Sequence, residues 1–489
     1  MLHQFSINPW ERDTRMSSKS KFAMPEKVSR IHLIAICGTA MGALASMLKE
    51  MGYIVTGSDQ HVYPPMSDFL RERGIPICEG FSGEHLRRRP DLVVVGNAVS
   101  KGNPEVQAVE ELGLAFCSMP QAINYFAAAG KKQIVITGTH GKTTTSSFIA
   151  WLLHCAELDP SFLIGGIIPD FQSNYKVGQG EWMVLEGDEY DTAFFDKGPK
   201  FLHYTPEVAV LTSVEFDHAD IYTDLNHVKQ SFRSFLASLA SDARLVAYDQ
   251  DPNVADLLPS ASAEVAAYGH NPDSEWRIGQ VIIAPPYTHF ETYRRKALYA
   301  TFKTRMVGRH NLGNLLAGIA VGDHLNIDVD VIAHALESFR GVRRRQEVRG
   351  VKNGVVVIDD FAHHPTAVKA TVEAIKDFYG ERRLFAIFEP RTNSSRRSVF
   401  QNVYPGCFDA ADVICIRQAP LLEKIPKEER FSSEQLVADT QARGKEAHFF
   451  LDTDGIIAFV ASQAKPGDVL LIMSNGGFEN IHQRLLDRL

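Results

Sequence analysis

The chain has 489 residues, which at about 150 residues per domain corresponds to roughly three domains and excludes a single small binding module. Its 45% hydrophobic and 22% charged residues exclude a collagen-like, low-complexity or largely disordered chain. A formal net charge of −8 gives no reason to expect nucleic acid or a membrane as partner, so an anionic ligand must be caught by local groups.

Residues 1–27 are polar, lack the apolar centre of a signal peptide, and read as a disordered leader. No later run approaches the ~18 apolar residues of a membrane span. The six cysteines (Cys37, Cys78, Cys117, Cys155, Cys407, Cys415) form no CxxC pair, which excludes a disulfide framework and a thiolate zinc site and fits a reducing cytoplasm. Nothing in the pattern sets an oligomeric state.

From there, short β-branched runs alternate with helix-spaced segments. The runs are Ile31–Ile36, Leu92–Val95, Ile134–Thr137, Met183–Leu185, Val208–Leu211, Val355–Ile358, Leu384–Phe388, Val413–Ile416 and Val469–Met473. The alternation predicts an α/β chain of parallel sheets covered by helices, with ligands at the carboxyl ends of strands. Small and basic residues at Ala127–Lys132 and glycine-flanked arginines at Phe339–Gly350 read as linkers, giving domains at 28–129, 130–341 and 342–489.

The first run continues through Gly38, Thr39, Ala40, Met41 and Gly42 in strand–turn–helix order, with Asp59 ending the next strand 21 residues after Gly38. That order suits a dinucleotide-type turn, although the glycine pattern is degenerate. Ordinary close packing of helix on strand is the other reading.

The second domain opens with an apolar strand, then Gly138-Thr139-His140-Gly141-Lys142-Thr143-Thr144, then an amphipathic helix. Glycines let the backbone curl its N–H groups around one anion, Lys142 adds a mobile charge, and Thr143 stands where such loops hold Mg²⁺. Two downstream strand ends carry carboxylates: Glu186-Gly-Asp188-Glu189-Tyr190-Asp191, and Glu215-Phe-Asp217-His218-Ala-Asp220. Hard oxygen donors there suit Mg²⁺, with Glu186 ending its strand directly and His218 available as a second ligand, a phosphoryl contact or a base. Further on, Asn311 and Asn314 share a helix face, where asparagines cap helices or bind an adenine or phosphate network. Asp359-Asp360-Phe-Ala-His363-His364-Pro365 follows another strand, its adjacent histidines pointing opposite ways and unsuited to sharing one zinc ion. The runs Arg87–Arg89 and Arg343–Arg345 read most simply as solvated charge, though the second could neutralise phosphate.

Together, GTHGKTTT, EGDEYD, EFDHAD, GRHNLGN and DDFAHHP, in this order, resemble the motif series of the Mur ligases of peptidoglycan assembly. The resemblance runs from about residue 30 to the end. It implies three domains: a Rossmann-like UDP-binding domain, a central P-loop ATPase domain, and a Rossmann-like C-terminal domain. It further implies an ATP- and Mg²⁺-dependent ligase that forms an amide through an acyl phosphate. Carried onto this chain, Lys142 and Thr143 become phosphate and metal contacts, Glu186 and His218 metal or catalytic contacts, Asn311 and Asn314 ATP contacts, and Arg345 and Asp360 the residues that complete the nucleotide site.

The segment Ile31–Ala45 and Gly96-Asn97-Ala98-Val99-Ser100 resemble the UDP-N-acetylmuramate-accepting branch, although that branch usually has glycine where this chain has Ala35, Cys37 and Ala40. Phe194–Lys197, His203-Tyr204, Phe388–Asn393 and Met473–Gly477 resemble the recycling members, which attach L-alanyl-γ-D-glutamyl-meso-diaminopimelate. Arg391, Asn393 and Ser474 are then the peptide-side candidates. Free L-alanine is the alternative acceptor, and a regulatory P-loop NTPase or a sugar-nucleotide sensor the alternatives of another class. Where some family members carry a carbamylated lysine, this chain has Phe232, and no such modification is assigned.

Overall fold

A computed structural model describes residues 24–64 and 66–489, so the expected leader lies almost wholly outside the described residues. The chain divides into two compact units, one of described residues up to Ala122 with Ala193–Phe195, the other of Ile123–Thr192 with Asp196–Leu489.

The first unit holds β1 (Arg30–Ile34), α1 (Thr39–Glu50), β2 (Ile54–Asp59), α2 (Met66–Glu72), β3 (Ile77–Glu79), β4 (Leu92–Val95), α3 (Pro104–Leu112), β5 (Phe116–Ser118) and α4 (Met119–Ala122). Its sheet is parallel in the order β3-β2-β1-β4-β5. Strand order reverses at β1, so a crevice opens at the carboxyl ends of β1 and β4. β1 stops at Ile34, two residues short of the expected end, because Ala35 turns to φ 65°. That conformation favours glycine and costs an alanine about 1 kcal/mol.

The second unit begins with β6 (Lys132–Thr137), α5 (Lys142–Cys155), β7 (Ser161–Ile168), β8 (Ser173–Lys176), β9 (Trp182–Gly187), β10 (Asp191–Ala193), β11 (Asp196–Pro199), β12 (Val208–Leu211), α6 (Leu225–Ser238), β13 (Arg244–Tyr248), α7 (Pro252–Leu257), β14 (Glu264–Gly269), β15 (Trp276–Ala284), β16 (Tyr287–Arg294), β17 (Ala297–Thr304), α8 (Arg309–His324) and α9 (Val329–Ser338). The main sheet runs β17-β16-β15-β14-β13-β12-β6-β9-β7-β8. Its core is parallel, but β15, β16 and β17 pair antiparallel, as do β7 and β8. The expected parallel sheet is present at the core, and Trp276–Thr304 extends it with antiparallel hairpins. Phe148, Ile149 and Leu152 of α5 and Leu315, Leu316 and Ile319 of α8 are buried in the core between sheet and helices.

The remainder comprises β18 (Glu347–Lys352), β19 (Val355–Asp360), α10 (Pro365–Tyr379), β20 (Leu384–Phe388), β21 (Val413–Arg417), α11 (Ser433–Ala442), β22 (Glu446–Phe450), α12 (Thr453–Gln463), β23 (Val469–Met473) and α13 (Ile481–Arg488). Its sheet order is β18-β19-β23-β20-β21-β22, parallel except at the antiparallel edge β18. The second expected linker is therefore partly strand. Glu347–Lys352 buries no residue fully, so this edge strand lacks the apolar alternation by which strands are read. Among the described residues, no helix is long and apolar enough to cross a membrane.

Candidate active site

Parallel pairing sets the site. β6 lies between β9 and β12, with Ile136 opposite Glu186 and Thr137 opposite Leu211, so both acidic strand ends flank the loop between β6 and α5. In that loop Gly138 has φ 126° and Gly141 φ 82°, conformations that glycine adopts most readily. Space demands them too: a Cβ on Gly138 would lie 2.3 Å from Thr212 Oγ1, and one on Gly141 2.3 Å from Asn314 Oδ1.

Lys142 Nζ donates to the Gly138 carbonyl and to Glu189 Oε2, each at 2.6 Å. Burial disfavours its charge, but Glu189, Asp188 and Glu186 outweigh it and hold the ammonium pKa above the ordinary lysine value. Thr143 Oγ1 donates to Glu186 Oε1 at 3.0 Å, while Gly165 N–H donates to Oε2 at 2.8 Å. Thr144 is buried in the first turn of α5.

Beyond β9, Asp188 accepts from Lys200 Nζ at 2.5 Å. Burial would raise its pKa, yet Lys200 and Lys142 bring it down to about 2. Glu189 is buried and also meets His218, Oε1 to Nε2 3.2 Å. The imidazole is destabilised as a cation by burial, but Glu189 and Asp217 prevail and raise its pKa. His218 holds φ 52°, a strained backbone of the kind found where a side chain must be aimed. Thr143 with Glu186 offers hard oxygen donors; Asp188, Glu189 and His218 bring three donor atoms within 4.8 Å of one another. Both sets fit a hydrated divalent cation.

On the other flank, Ser213 accepts from Thr139 N–H through its carbonyl and from His140 N–H through Oγ, each at 2.9 Å. The C-terminal domain grips the segment that follows. Ser394 Oγ donates to Asp217 Oδ1 at 2.8 Å, Asn393 Nδ2 to Asp220 at 3.2 Å, and Thr366 Oγ1 to Glu215 at 2.6 Å. Burial pushes the Asp217 pKa up, but His218, His364 and His363 outweigh it and hold it well below the usual carboxylate range.

Asn311 and Asn314 lie side by side on α8, Nδ2 of Asn314 donating to Oδ1 of Asn311 at 3.3 Å, and both are buried beside Gly141 or Gln346. The Asp360 carboxylate accepts from Gln346 and Ala362 N–H at 2.8 and 2.7 Å. Burial raises its pKa despite the Arg345 charge beside it. Arg345 packs over Phe361, its Cζ 4.8 Å from the ring centroid. The arginine run is thus not uniformly solvated: Arg343 is exposed, but Arg344 donates to the Ser474 and Gly476 carbonyls at 2.7 and 2.6 Å.

Arg391 lies against Gly476, where a Cβ would come within 2.5 Å of its Nε. Its guanidinium is 40% exposed and 3.6 Å from buried Glu389. Ser474 is buried too, and its hydroxyl is spent on Glu389 Oε2 at 2.6 Å.

In the first unit, Gly38–Gly42 form the turn into α1 at the carboxyl end of β1. Asp59 accepts from Cys37 N–H at 2.9 Å and so fixes the turn. Asn97 and Ser100 stand exposed beyond β4. A Cβ on Gly42 would meet Met66 Sδ at 2.6 Å, so glycine there serves packing.

Sequence reasoning did not single out Glu189, Asp217, Ser394 or Glu389. The first two sit inside the acidic motifs, but spacing alone cannot choose among neighbouring carboxylates.

Three family models cover most of the chain: Mur ligase family, catalytic domain, at residues 30–131; Mur ligase middle domain at 136–322; and Mur ligase, glutamate ligase domain, at 344–476. The chain is 37% identical over 465 residues to an Escherichia coli protein named UDP-N-acetylmuramate–L-alanyl-γ-D-glutamyl-meso-2,6-diaminoheptandioate ligase, covering 94% of this chain and 98% of that one. A Caldanaerobacter subterraneus UDP-N-acetylmuramate–L-alanine ligase is 33% identical, with 94% and 98% covered. Among solved structures, a murein peptide ligase from Psychrobacter arcticus matches with TM-score 0.68 and 33% identity over 94% of this chain and 98% of its own.

Proposed function

We propose that this chain, which belongs to the Mur ligase family, is the ATP-dependent ligase that joins UDP-N-acetylmuramate to L-alanyl-γ-D-glutamyl-meso-diaminopimelate in the cytoplasm, in peptidoglycan recycling. One observation carries the reading. A lysine and two metal-competent donor sets converge on a single phosphate-type loop, and the acceptor-side segment Asn393–Ser394 docks on the Asp217–Asp220 segment beside it.

Residues 28–129 are assigned to the UDP-sugar through Gly38–Gly42, Asp59, Asn97 and Ser100. Residues 130–341 take ATP through Gly138–Thr144, Asn311 and Asn314, with Arg345 and Asp360 added from 342–489. The tripeptide favours Arg391, because a half-exposed guanidinium suits the extra carboxylates that free L-alanine lacks. Asn393 acts from the docked segment, and Ser474 acts by holding Glu389 in place.

A carboxylate is a poor electrophile, so the γ-phosphoryl group of ATP first converts it to an acyl phosphate. The acceptor amine then attacks the acyl carbon, and phosphate leaves. Lys142 and the loop amides stabilise charge on the transferring group, mainly by position and electrostatics. Mg²⁺, when bound, neutralises phosphate charge, and Thr143, Glu186 and His218 are the donors that fit it. Glu189 and Asp217 favour the cationic imidazole when no ion is bound, so His218 then stands as a positive charge beside the loop, and it acts as a metal donor only in its neutral form.

The test is to run the reaction with the muramate carboxylate labelled with oxygen-18. One label is expected in the released phosphate and the other in the new amide carbonyl. Amide formation with unlabelled phosphate would overturn the mechanism.

A further inference from the structure

Three side chains meet at the nucleotide loop. His140 belongs to the loop itself, Glu215 follows β12, and His364 caps α10 in the C-terminal domain. One donor atom from each lies within 4.8 Å of the others. Glu215 Oε2 is 3.5 Å from His140 Nε2 and 3.6 Å from His364 Nδ1. A tetrahedral ion with bonds of about 2.0–2.1 Å sets neighbouring donors about 3.3–3.4 Å apart, so Glu215 already stands within a few tenths of an ångström of that spacing from each nitrogen.

Each imidazole turns one nitrogen toward Glu215. His140 Nε2 is buried with no hydrogen-bond partner among the described residues. His364 Nε2 donates to the Phe216 carbonyl at 3.2 Å, so Nδ1 carries the lone pair; it lies toward Glu215 and accepts a long 3.4 Å bond from Thr366 N–H, which an ion would replace. A backbone carbonyl on the far nitrogen is the support that metal-bound imidazoles commonly have. Burial is the main reason the His364 pKa lies below the ordinary imidazole value. Thr366 Oγ1 orients Glu215 at 2.6 Å.

We propose that His140, Glu215 and His364 form a binding site for a zinc-class divalent ion, separate from the magnesium donors, and that filling it pins the C-terminal domain to the nucleotide loop. Two imidazoles with one carboxylate suit zinc and not magnesium, which prefers oxygen donors.

The full-length protein is titrated with zinc chloride against a chromophoric chelator, and its melting temperature followed. The wild type is expected to bind one tight ion and to melt higher with zinc. Glu215→Gln and His364→Asn, the latter keeping a residue able to cap α10, should each weaken binding tenfold or more and abolish the thermal shift, with unchanged circular dichroism. His218→Ala, which disrupts the other donor cluster, should keep both. Cobalt(II) should give a tetrahedral visible band in the wild type that Glu215→Gln and His364→Asn lose. Equal zinc affinity in wild type and both variants, or loss on His218→Ala alone, would overturn the proposal.

Discussion

Lys142 is the residue on which the phosphate loop turns. Its ammonium is held charged by three carboxylates against the cost of burial. Lys142→Ala should lower turnover by roughly two or more orders of magnitude, the size of a lost transition-state contact, with the fold intact by circular dichroism. Near-normal ligation would contradict the assignment. The lysine, Thr143 and Glu186 were legible from the sequence because loop and strand ends impose their own spacing. Glu189 was not, since it meets Lys142 and His218 only after β9 and β12 come to flank β6. Phe232, the residue at which no lysine modification was assigned, is buried and stacks on Phe201 with centroids 5.1 Å apart. Lys229, nearby in sequence, pairs instead with Asp256 at 3.2 Å.

Among the elements, α3 is tied to its sheet by a buried carboxylate. Glu105 accepts from Ser58 Oγ at 2.5 Å and lies 2.6 Å from His85 Nδ1, with His32 at 3.6 Å. Burial pushes its pKa up, but hydrogen bonds from His32, Ser58 and His85 prevail and hold it below the ordinary value. A depressed carboxylate stabilises the fold above its unfolded pKa of about 4.3 and loses that contribution as pH falls through the folded value. Glu105→Gln should therefore destabilise the first unit by on the order of 2 kcal/mol at neutral pH. In urea melts the deficit should shrink steadily below about pH 4; a deficit independent of pH would contradict the charged role. Nine of the parallel strands, among them β1, β4, β6, β9 and β12, were legible as continuous apolar runs. β15–β17 were not, because β15 and β17 are exposed over much of their length and give no continuous apolar run, and β18 hid among arginines and glycines at a solvent-facing edge.

For the whole molecule, the chain's order of motifs foretold three Mur ligase domains, and the matched models place them in that order. What the sequence could not disclose is how the Asn393–Ser394 segment reaches the central domain: Ser394–Asp217 and Asn393–Asp220 join residues more than 170 positions apart. If Arg391 reads the peptide, Arg391→Ala should raise the KM for the diaminopimelate peptide severalfold and leave that for ATP nearly unchanged. Equal increases would point to a general loss of domain closure instead.

The most direct measurement follows ADP release with UDP-N-acetylmuramate and ATP, adding free L-alanine to one sample and the tripeptide to another. Rapid release with the tripeptide and little with L-alanine is the predicted result. Selective turnover with L-alanine, or equal release with neither acceptor present, would contradict it.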